Sequence, residues 1–431
     1  MSIQEPLAKS PLSAPAILVL VAALAALEGY DLACYGATVP VLLADASIGA
    51  APAGVAAAGS LLAVGMMAGA AMAGALISRV GSRRLLLVGS GLFSAGMLVC
   101  GVAPSMGLFG VARLIVGVGL GVVLPTLTTY VAELSRPNRR CRNVGLLMAG
   151  YAAGALAAPL ASAALLPWAS WRWIYLAAVI PALVLLPLAA RVLPESPVHL
   201  ARSGSTDPIG SAVARRRGEL FGLRVLLTSG VRRATTLFWV MSFCGLLLVF
   251  GISTWLPTIM KMNGYSLGSA LLQSAAMWGG AGAGMVAGGR VADALGAKPV
   301  VAVAFGVGSL SLLAMSLRPS TALLFVLMFV SGLGLIGSQV LVNAFMATHY
   351  SDGLRGPGLG WALSVGRIGA ILGPVLGGWI LAAQLDVQWN FYLFAVPGVI
   401  GAIAAVLVPA VRAPAPNTGR ELGTPVQGLE T

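Results

Sequence analysis

The feature that most constrains this chain is a recurring run of apolar, almost uncharged residues, each long enough to cross a bilayer as a helix. Crossing hydrocarbon takes roughly 20 such residues. Twelve runs of about that size occur, near 15–40, 54–77, 84–103, 108–132, 143–166, 171–193, 234–257, 270–292, 299–317, 320–346, 357–383 and 389–411. Lipid offers no hydrogen bonds, so each run must satisfy its own backbone, and the expectation is an all-α membrane protein of twelve transmembrane helices. The charge content agrees. Only 26 Lys or Arg and 13 Asp or Glu occur in 431 residues, too few to build the water-facing surface of a soluble domain, which is about 25% charged. The first run is too long for a signal-peptide core and lacks a convincing cleavage site, so it reads as a retained span.

The net charge of +13 does not imply nucleic acid, because the cations lie in short clusters between apolar runs and form no continuous stripe. They track the loops instead. Loops 2–3 (Arg79, Arg83, Arg84), 4–5 (Arg136, Arg139, Arg140, Arg142) and 6–7 are basic, while the alternate loops hold only Arg172, Lys261 and Arg318. The positive-inside rule then places both termini in the cytoplasm, and the expected location is the cell's inner (plasma) membrane. The longest polar stretch, 194–233, contains Asp207-Pro208 and Arg215-Arg216-Arg217 and reads as a cytoplasmic linker. It divides a six-helix half, 1–193, from a second, 234–411, with a cytoplasmic tail at 412–431. Cys34, Cys100, Cys141 and Cys244 show no CxxC spacing, so neither a disulfide framework nor a zinc site is expected. No nucleotide motif, metal-ligand cluster or nucleophile triad is visible; the expectation is no cofactor, no metal and no enzyme.

An internal repeat supports the twelve-span count. Gly74, Ser78, Gly81 and Arg83 return at one constant offset as Gly289, Asp293, Gly296 and Lys298. Gly117 and Gly119 match Gly332 and Gly334 at that same offset, and so does Gly154–Pro159 with Gly369–Pro374. Trp173 and Pro181 match Trp389 and Pro397 with one residue of slippage. Two parallel six-span halves are an arrangement that places a substrate site at the midplane between them.

Several of these segments resemble the major facilitator superfamily of transporters. GALISRVGSRR (Gly74–Arg84) resembles its loop 2–3 signature, RLIVGVGLG (Arg113–Gly121) its fourth-span motif, and PESP (Pro194–Pro197) its motif after the sixth span. Within it, LEGYDLACYGATVPVLL (Leu27–Leu43), WLPTIMKMNGYS (Trp255–Ser266) and GLGWALSVGRIGAILGPVLGG (Gly358–Gly378) are similar to spans one, seven and eleven of the aromatic acid:proton symporter family. The chain departs from these patterns twice. Glu28 stands where the subfamily has its first Asp, and Ser78 where the loop signature has an acid, while Asp293 keeps an acid in the second half. The resemblance implies a twelve-helix, two-half major facilitator fold and import of a benzoate- or hydroxybenzoate-type carboxylate with protons.

Four ionisable residues fall well inside the spans: Glu28 and Asp31 in the first, Arg113 in the fourth and Arg367 in the eleventh. A charge at the bilayer centre costs about 3 kcal/mol on insertion scales, so such residues need partners or a cavity. The two acids and two arginines sum to zero, which fits mutual neutralisation. Glu28 and Asp31, three apart, share a helical face and titrate as a pair, which suits proton coupling; an acid that only satisfies an arginine is the alternative. Arg113, unable to deprotonate, can serve a carboxylate of the protein or of the substrate. Arg367 has no counterpart in the first half, where residue 152 is Ala, and is the preferred hook for a substrate carboxylate. Tyr35, Tyr151, Trp255, Trp278 and Trp361 are candidate ring faces around it, each with a packing role as the alternative. Gln339 and Asn343, one turn apart, are expected to face the cavity, toward a ring hydroxyl. Arg79, Arg83, Glu133 and Asp293, near span ends, are candidate gate residues. The expected partners are a small organic anion, protons and the lipid bilayer, and a monomer is expected. The rival readings are a proton-driven exporter of amphipathic compounds, a symporter of another small organic acid, and a transport-dead sensor or scaffold.

Overall fold

The computed structural model describes residues 13–135, 139–195, 224–228 and 231–409, apart from the side chains of Ala14, Ser78, Arg79, Arg140, Cys141, Asp352 and Gly353. Most of the 194–233 linker and the 412–431 tail lie outside the described residues, as does the side chain of Arg79. Twelve long helices follow one another: α1 (Ala14–Leu42), α2 (Pro52–Val80), α3 (Ser82–Val102), α4 (Met106–Leu134), α5 (Arg140–Leu165), α6 (Arg172–Val192), α7 (Arg232–Met262), α8 (Leu267–Leu295), α9 (Ala297–Met315), α10 (Thr321–His349), α11 (Asp352–Ala382) and α12 (Gln388–Leu407). Eleven are long and apolar enough to span a membrane. The twelfth, α8, has the length but is diluted by glycine, serine and Gln273.

Local chemistry sets several helix ends. Ser105, Ser266 and Ser320 accept hydrogen bonds from backbone N–H groups in the first turns of α4, α8 and α10, the usual way to satisfy orphan donors. Gly81 and Gly296, equivalent positions of the internal repeat, hold φ near +89° and +87° and join α2 to α3 and α8 to α9 through a single residue. A side chain would strain that left-handed turn. Just beyond each turn, a cation closes the last carbonyls of another helix. Arg83 donates to the carbonyl of Ala190 in α6, and Lys298 to that of Val408 after α12, at 2.7 Å. Both complement a helix C-terminus.

The repeat in the sequence is a repeat of contacts. In the first half α1 packs on α5, α2 on α4, and α3 on α4 and α6; in the second α7 packs on α11, α8 on α10, and α9 on α10 and α12. Glycines carry these contacts in register. The Cα of Gly65 lies against the carbonyl of Leu114, and that of Gly280 against Phe329; Gly69 meets Val118 and Gly284 meets Leu333; Gly117 meets Leu62 and Gly332 meets Met277. Every member is displaced by the same offset that relates Gly81 to Gly296. Where helix–helix association has no hydrophobic drive from water, small residues let backbones approach and gain dispersion contact. The register changes in α10, where Gly332–Ile336 form one π-turn, closed by Gly337 N–H donating to the Gly332 carbonyl at 3.0 Å.

The halves meet through α2 with α11, α5 with α8, and α1 with α7. Ser60 donates to the Ile371 carbonyl at 2.7 Å, Gly59 faces Pro374, and Gly378 faces Ala56. On the seam's midline, Gly36 of α1 lies against the Ser253 carbonyl of α7. These approaches lie toward the end of the bundle opposite the one where α1 begins and α12 ends. α5 and α8 touch nearer mid-helix, at Ala152 and Gly282.

At that same end a polar clamp fixes the first half. Asp45, in the α1–α2 loop, accepts from the Ser47 N–H (2.9 Å), the Ser47 hydroxyl (2.6 Å) and the Trp171 indole (2.8 Å). Arg172 lies 3.5 Å from it, stacks over Trp171, and donates to the Ala103 carbonyl. The hydrogen bonds from Ser47 and Trp171, with the charge of Arg172, lower the Asp45 carboxyl to about 2 from its usual 3.8. A carboxyl lowered by folding stabilises the fold above the unfolded value and loses that contribution as pH falls through the folded value. Asp45→Asn is therefore expected to melt below wild type at pH 7, with the two melting temperatures converging between pH 4 and pH 2. A difference independent of pH would show that the clamp's charge contributes nothing.

Candidate functional site

The structure sorts the four charges that the sequence places within spans, Glu28, Asp31, Arg113 and Arg367, into two unlike groups. Asp31 and Arg113, both fully buried, form an ion pair between α1 and α4, with Arg113 Nη1 donating to Asp31 Oδ1 at 2.5 Å. The Arg113 guanidinium sits over the Tyr35 ring, 4.6 Å from its centroid. Tyr35 is held in turn. Its hydroxyl donates to the Val55 carbonyl at 2.5 Å and its ring stacks on Phe109, which meets Trp171 and Tyr175 edge-on. Tyr35 thus belongs to an aromatic core of the first half, built around Arg113 and away from Arg367.

Glu28, one turn before Asp31 on α1, is 2% exposed, and neither of its oxygens has a hydrogen-bond partner among the described residues. The charge nearest to answering it comes from the other half. Arg367 of α11 lies within electrostatic reach of Glu28 and of Tyr151 on α5, yet among the described residues it forms no ion pair, and its Nη1 is buried without a partner. A carboxylate of the first half and a guanidinium of the second thus act on one another electrostatically, with no ion pair between them among the described residues. Buried charges without hydrogen bonds are costly.

The other sequence candidates fall into place around this seam. Trp255 is fully buried in the α7–α11 contact, its indole donating to the Pro374 carbonyl at 2.8 Å. Trp361 is half-buried and packs on Trp239 with ring centroids 6.4 Å apart. Gln339 is 9% exposed and comes just after the π-turn of α10; its side-chain oxygen occupies the space a Cβ on Gly245 of α7 would need. Neither polar atom of Gln339 nor Oδ1 of Asn343 has a partner among the described residues.

At the terminus-bearing end, Arg83 belongs to a cluster the sequence candidates only half identified. Its backbone N–H donates to Glu195 at 3.1 Å, and the Tyr130 hydroxyl donates to the Pro194 carbonyl at 2.7 Å. Glu133 and Glu195 both act electrostatically on Tyr130. Glu195 is visible in the sequence as the acid of PESP, one residue after the helix-ending proline, but nothing in one dimension folds it back onto α3. Asp293 lies exposed at the equivalent end of α8.

The two halves differ in how they fill the place of the buried ion pair. Gly154 lies against the Ala26 carbonyl and Gly369 against that of Phe243. The repeat offset therefore relates α5 to α11 and α4 to α10 unchanged, while α7 runs two positions later relative to α1. The equivalents of Asp31 and Arg113 are then Leu248 and Met328, both fully buried. One scaffold accepts either an ion pair or two apolar side chains. Asp31→Asn, which strands Arg113, is expected to cost about 3–5 kcal/mol of stability. The double variant Asp31→Leu/Arg113→Met is expected to recover most of it in denaturation of the purified protein. A double variant as unstable as the single one would refute this equivalence.

Comparison with known proteins agrees with this architecture. The profile of the Major Facilitator Superfamily matches residues 21–288 and 266–429. A benzoate transport protein from Acinetobacter baylyi is 31% identical, over 91% of this chain and 89% of its own. A gentisate transporter from Corynebacterium glutamicum is 33% identical, over 88% and 83%, and a gallate transporter from Pseudomonas putida 30%, over 92% and 94%. Among solved structures, a D-xylose-proton symporter superposes with a TM-score of 0.73 at 20% identity, over 92% of this chain and 98% of that one. A bacterial homologue of the human lysosomal transporter Spinster, in an inward-facing and unoccupied conformation, gives 0.69 at 16%, over 91% and 96%.

Proposed function

We propose a cycle of proton-coupled import for this chain, which belongs to the Major Facilitator Superfamily and is a transport protein, not an enzyme. The cargo in this reading is a small aromatic carboxylate of the benzoate or hydroxybenzoate type. Relatives that carry benzoate, gentisate and gallate support that choice. The observation that carries it is the pair of unjoined charges at the seam, Glu28 and Arg367.

With the site empty, Glu28 and Arg367 neutralise one another across the gap, and the halves can rock without carrying net charge into a dry seam. A cargo carboxylate binding to Arg367 cancels the guanidinium and leaves Glu28 as an uncompensated anion beside another anion. That state costs several kcal/mol to occlude. A proton on Glu28 removes the excess. Only the empty carrier and the carrier holding both proton and anion are neutral, so only those two exchange sides, and flux of one ligand is tied to flux of the other. Asp31 takes no proton in this scheme. It anchors Arg113, and that ion pair holds α1 against α4 so that Glu28 keeps its place.

In this reading the terminus-bearing end faces the cytoplasm and the protein sits in the inner (plasma) membrane, an orientation that the basic loops support. Because the halves meet most closely at the other end, the conformation described is then one open toward the cytoplasm, poised to release cargo or to take up a proton and anion for exchange. Arg83, Glu133 and Glu195, on that side, belong to the contacts remade when the carrier turns outward.

The scheme moves one proton with one monovalent anion, so import is electroneutral. In proteoliposomes, collapsing the pH gradient is expected to abolish benzoate accumulation, while setting the membrane potential to zero leaves it nearly unchanged. Glu28→Gln is expected to lose uphill accumulation but to keep benzoate–benzoate exchange, and Arg367→Gln to lose both. Accumulation by Glu28→Gln against a gradient would refute the coupling role, and an unchanged KM in Arg367→Gln the binding role.

A further inference from the structure

The unpartnered polar groups of the two halves differ in kind. Among the described residues, the central unpartnered atoms of the first half belong to ionic groups, both oxygens of Glu28, Asp31 Oδ2, and Nε and Nη2 of Arg113; in the second, Arg367 Nη1 is accompanied by neutral groups, Ser242 Oγ, Asn343 Oδ1 and both polar atoms of Gln339. These neutral groups gather on one stretch of α7. Gln339 packs on Gly245, three residues from Ser242 on the same face, and Asn343 stands one turn further along α10. From the other side, Gly366, the neighbour of Arg367, packs on the Ser242 carbonyl. Ser242 lies eleven residues, or three turns, before Ser253, which meets α1 at the midline of the seam. The Ser242 face therefore points toward the seam, where Arg367 awaits an anion.

We propose that Ser242, Gln339 and Asn343 form a subsite that reads a hydroxyl on the cargo's ring, so that the preferred cargo is a hydroxylated aromatic acid rather than benzoate itself. This inference rests on the functional reading above and sharpens its substrate class. A buried primary amide offers a carbonyl that needs a donor and an N–H₂ that needs an acceptor, and a phenol supplies both from one oxygen. An unsubstituted ring would leave the amide unpaired, and sites built to hold a hydroxyl discriminate strongly against analogues that lack it. The π-turn just before Gln339 supplies the means. One extra residue in the turn rotates the rest of α10 about its axis, and carries Gln339 onto the gap left by Gly245. By the same correspondence that relates Asp31 to Leu248, Glu28 is the first half's equivalent of Gly245. The first half thus has an acid where the second makes room for an amide.

The test is equilibrium binding to purified protein in lipid nanodiscs, comparing benzoate with 3-hydroxybenzoate, 4-hydroxybenzoate and 2,5-dihydroxybenzoate. At least one hydroxylated acid is expected to bind about 10- to 100-fold more tightly than benzoate. In Gln339→Leu that ratio is expected to fall toward one, and in Asn343→Leu to fall in part, with monodisperse elution and thermal unfolding showing that each variant is folded. Benzoate binding as tightly as every hydroxylated acid, or a ratio unchanged in folded Gln339→Leu, would overturn the subsite and leave the broader reading standing. Binding of none of the four would overturn both.

Discussion

Charge inside a low-dielectric interior must be neutralised at every moment, and the rest of this molecule is arranged around that requirement. Only a handful of ionisable side chains enter the bundle, and the structure treats them in two ways. Asp31 and Arg113 are joined and fully buried, with Tyr35 under the guanidinium and Phe109 stacked on Tyr35. Glu28 and Arg367 are held apart on opposite halves. The first pair resembles a rivet and the second an open circuit. Helix contacts elsewhere are made mostly by glycine and by aliphatic packing, which carry no such constraint and can slide or part without electrostatic penalty.

Much of the architecture is legible in the sequence because the bilayer imposes a length. The twelve runs read from composition correspond to α1–α12, and the glycine repeat is a repeat of helix contacts. Boundaries are less legible. α11 begins at Asp352, five residues before its apolar run, and α4 reaches Leu134, because helices continue beyond the hydrocarbon where capping and loop contacts allow. α8 is the weakest span by hydropathy, since its glycines count as polar on such scales while serving as the contact surface.

The charges buried within the bundle are legible in the sequence, but their pairing is not. Scarcity of charge singles out Glu28, Asp31, Arg113 and Arg367, yet nothing in one dimension says which acid meets which arginine when the partners lie whole helices apart in the chain. Tyr35 shows the same limit. The sequence offers it as a ring face around Arg367, and only the fold shows it hydrogen-bonded to Val55 beneath Arg113. The contact of Glu195 with α3 and the π-turn of α10 escape a sequence reading for a related reason. A loop that folds back, and one extra residue in a helical turn, leave no periodic signal to read.

The replacement of Asp31 and Arg113 by Leu248 and Met328 in the second half carries a consequence for how such a chain diversifies. A duplicated gene begins with two identical copies, and their later histories need not be alike. Here one copy keeps its ionic rivet while the corresponding place in the other is ordinary apolar packing, tolerant of substitution at little risk to folding. Selection acting on neighbouring positions of that second copy can retune what the carrier accepts while the first copy's chemistry stays undisturbed.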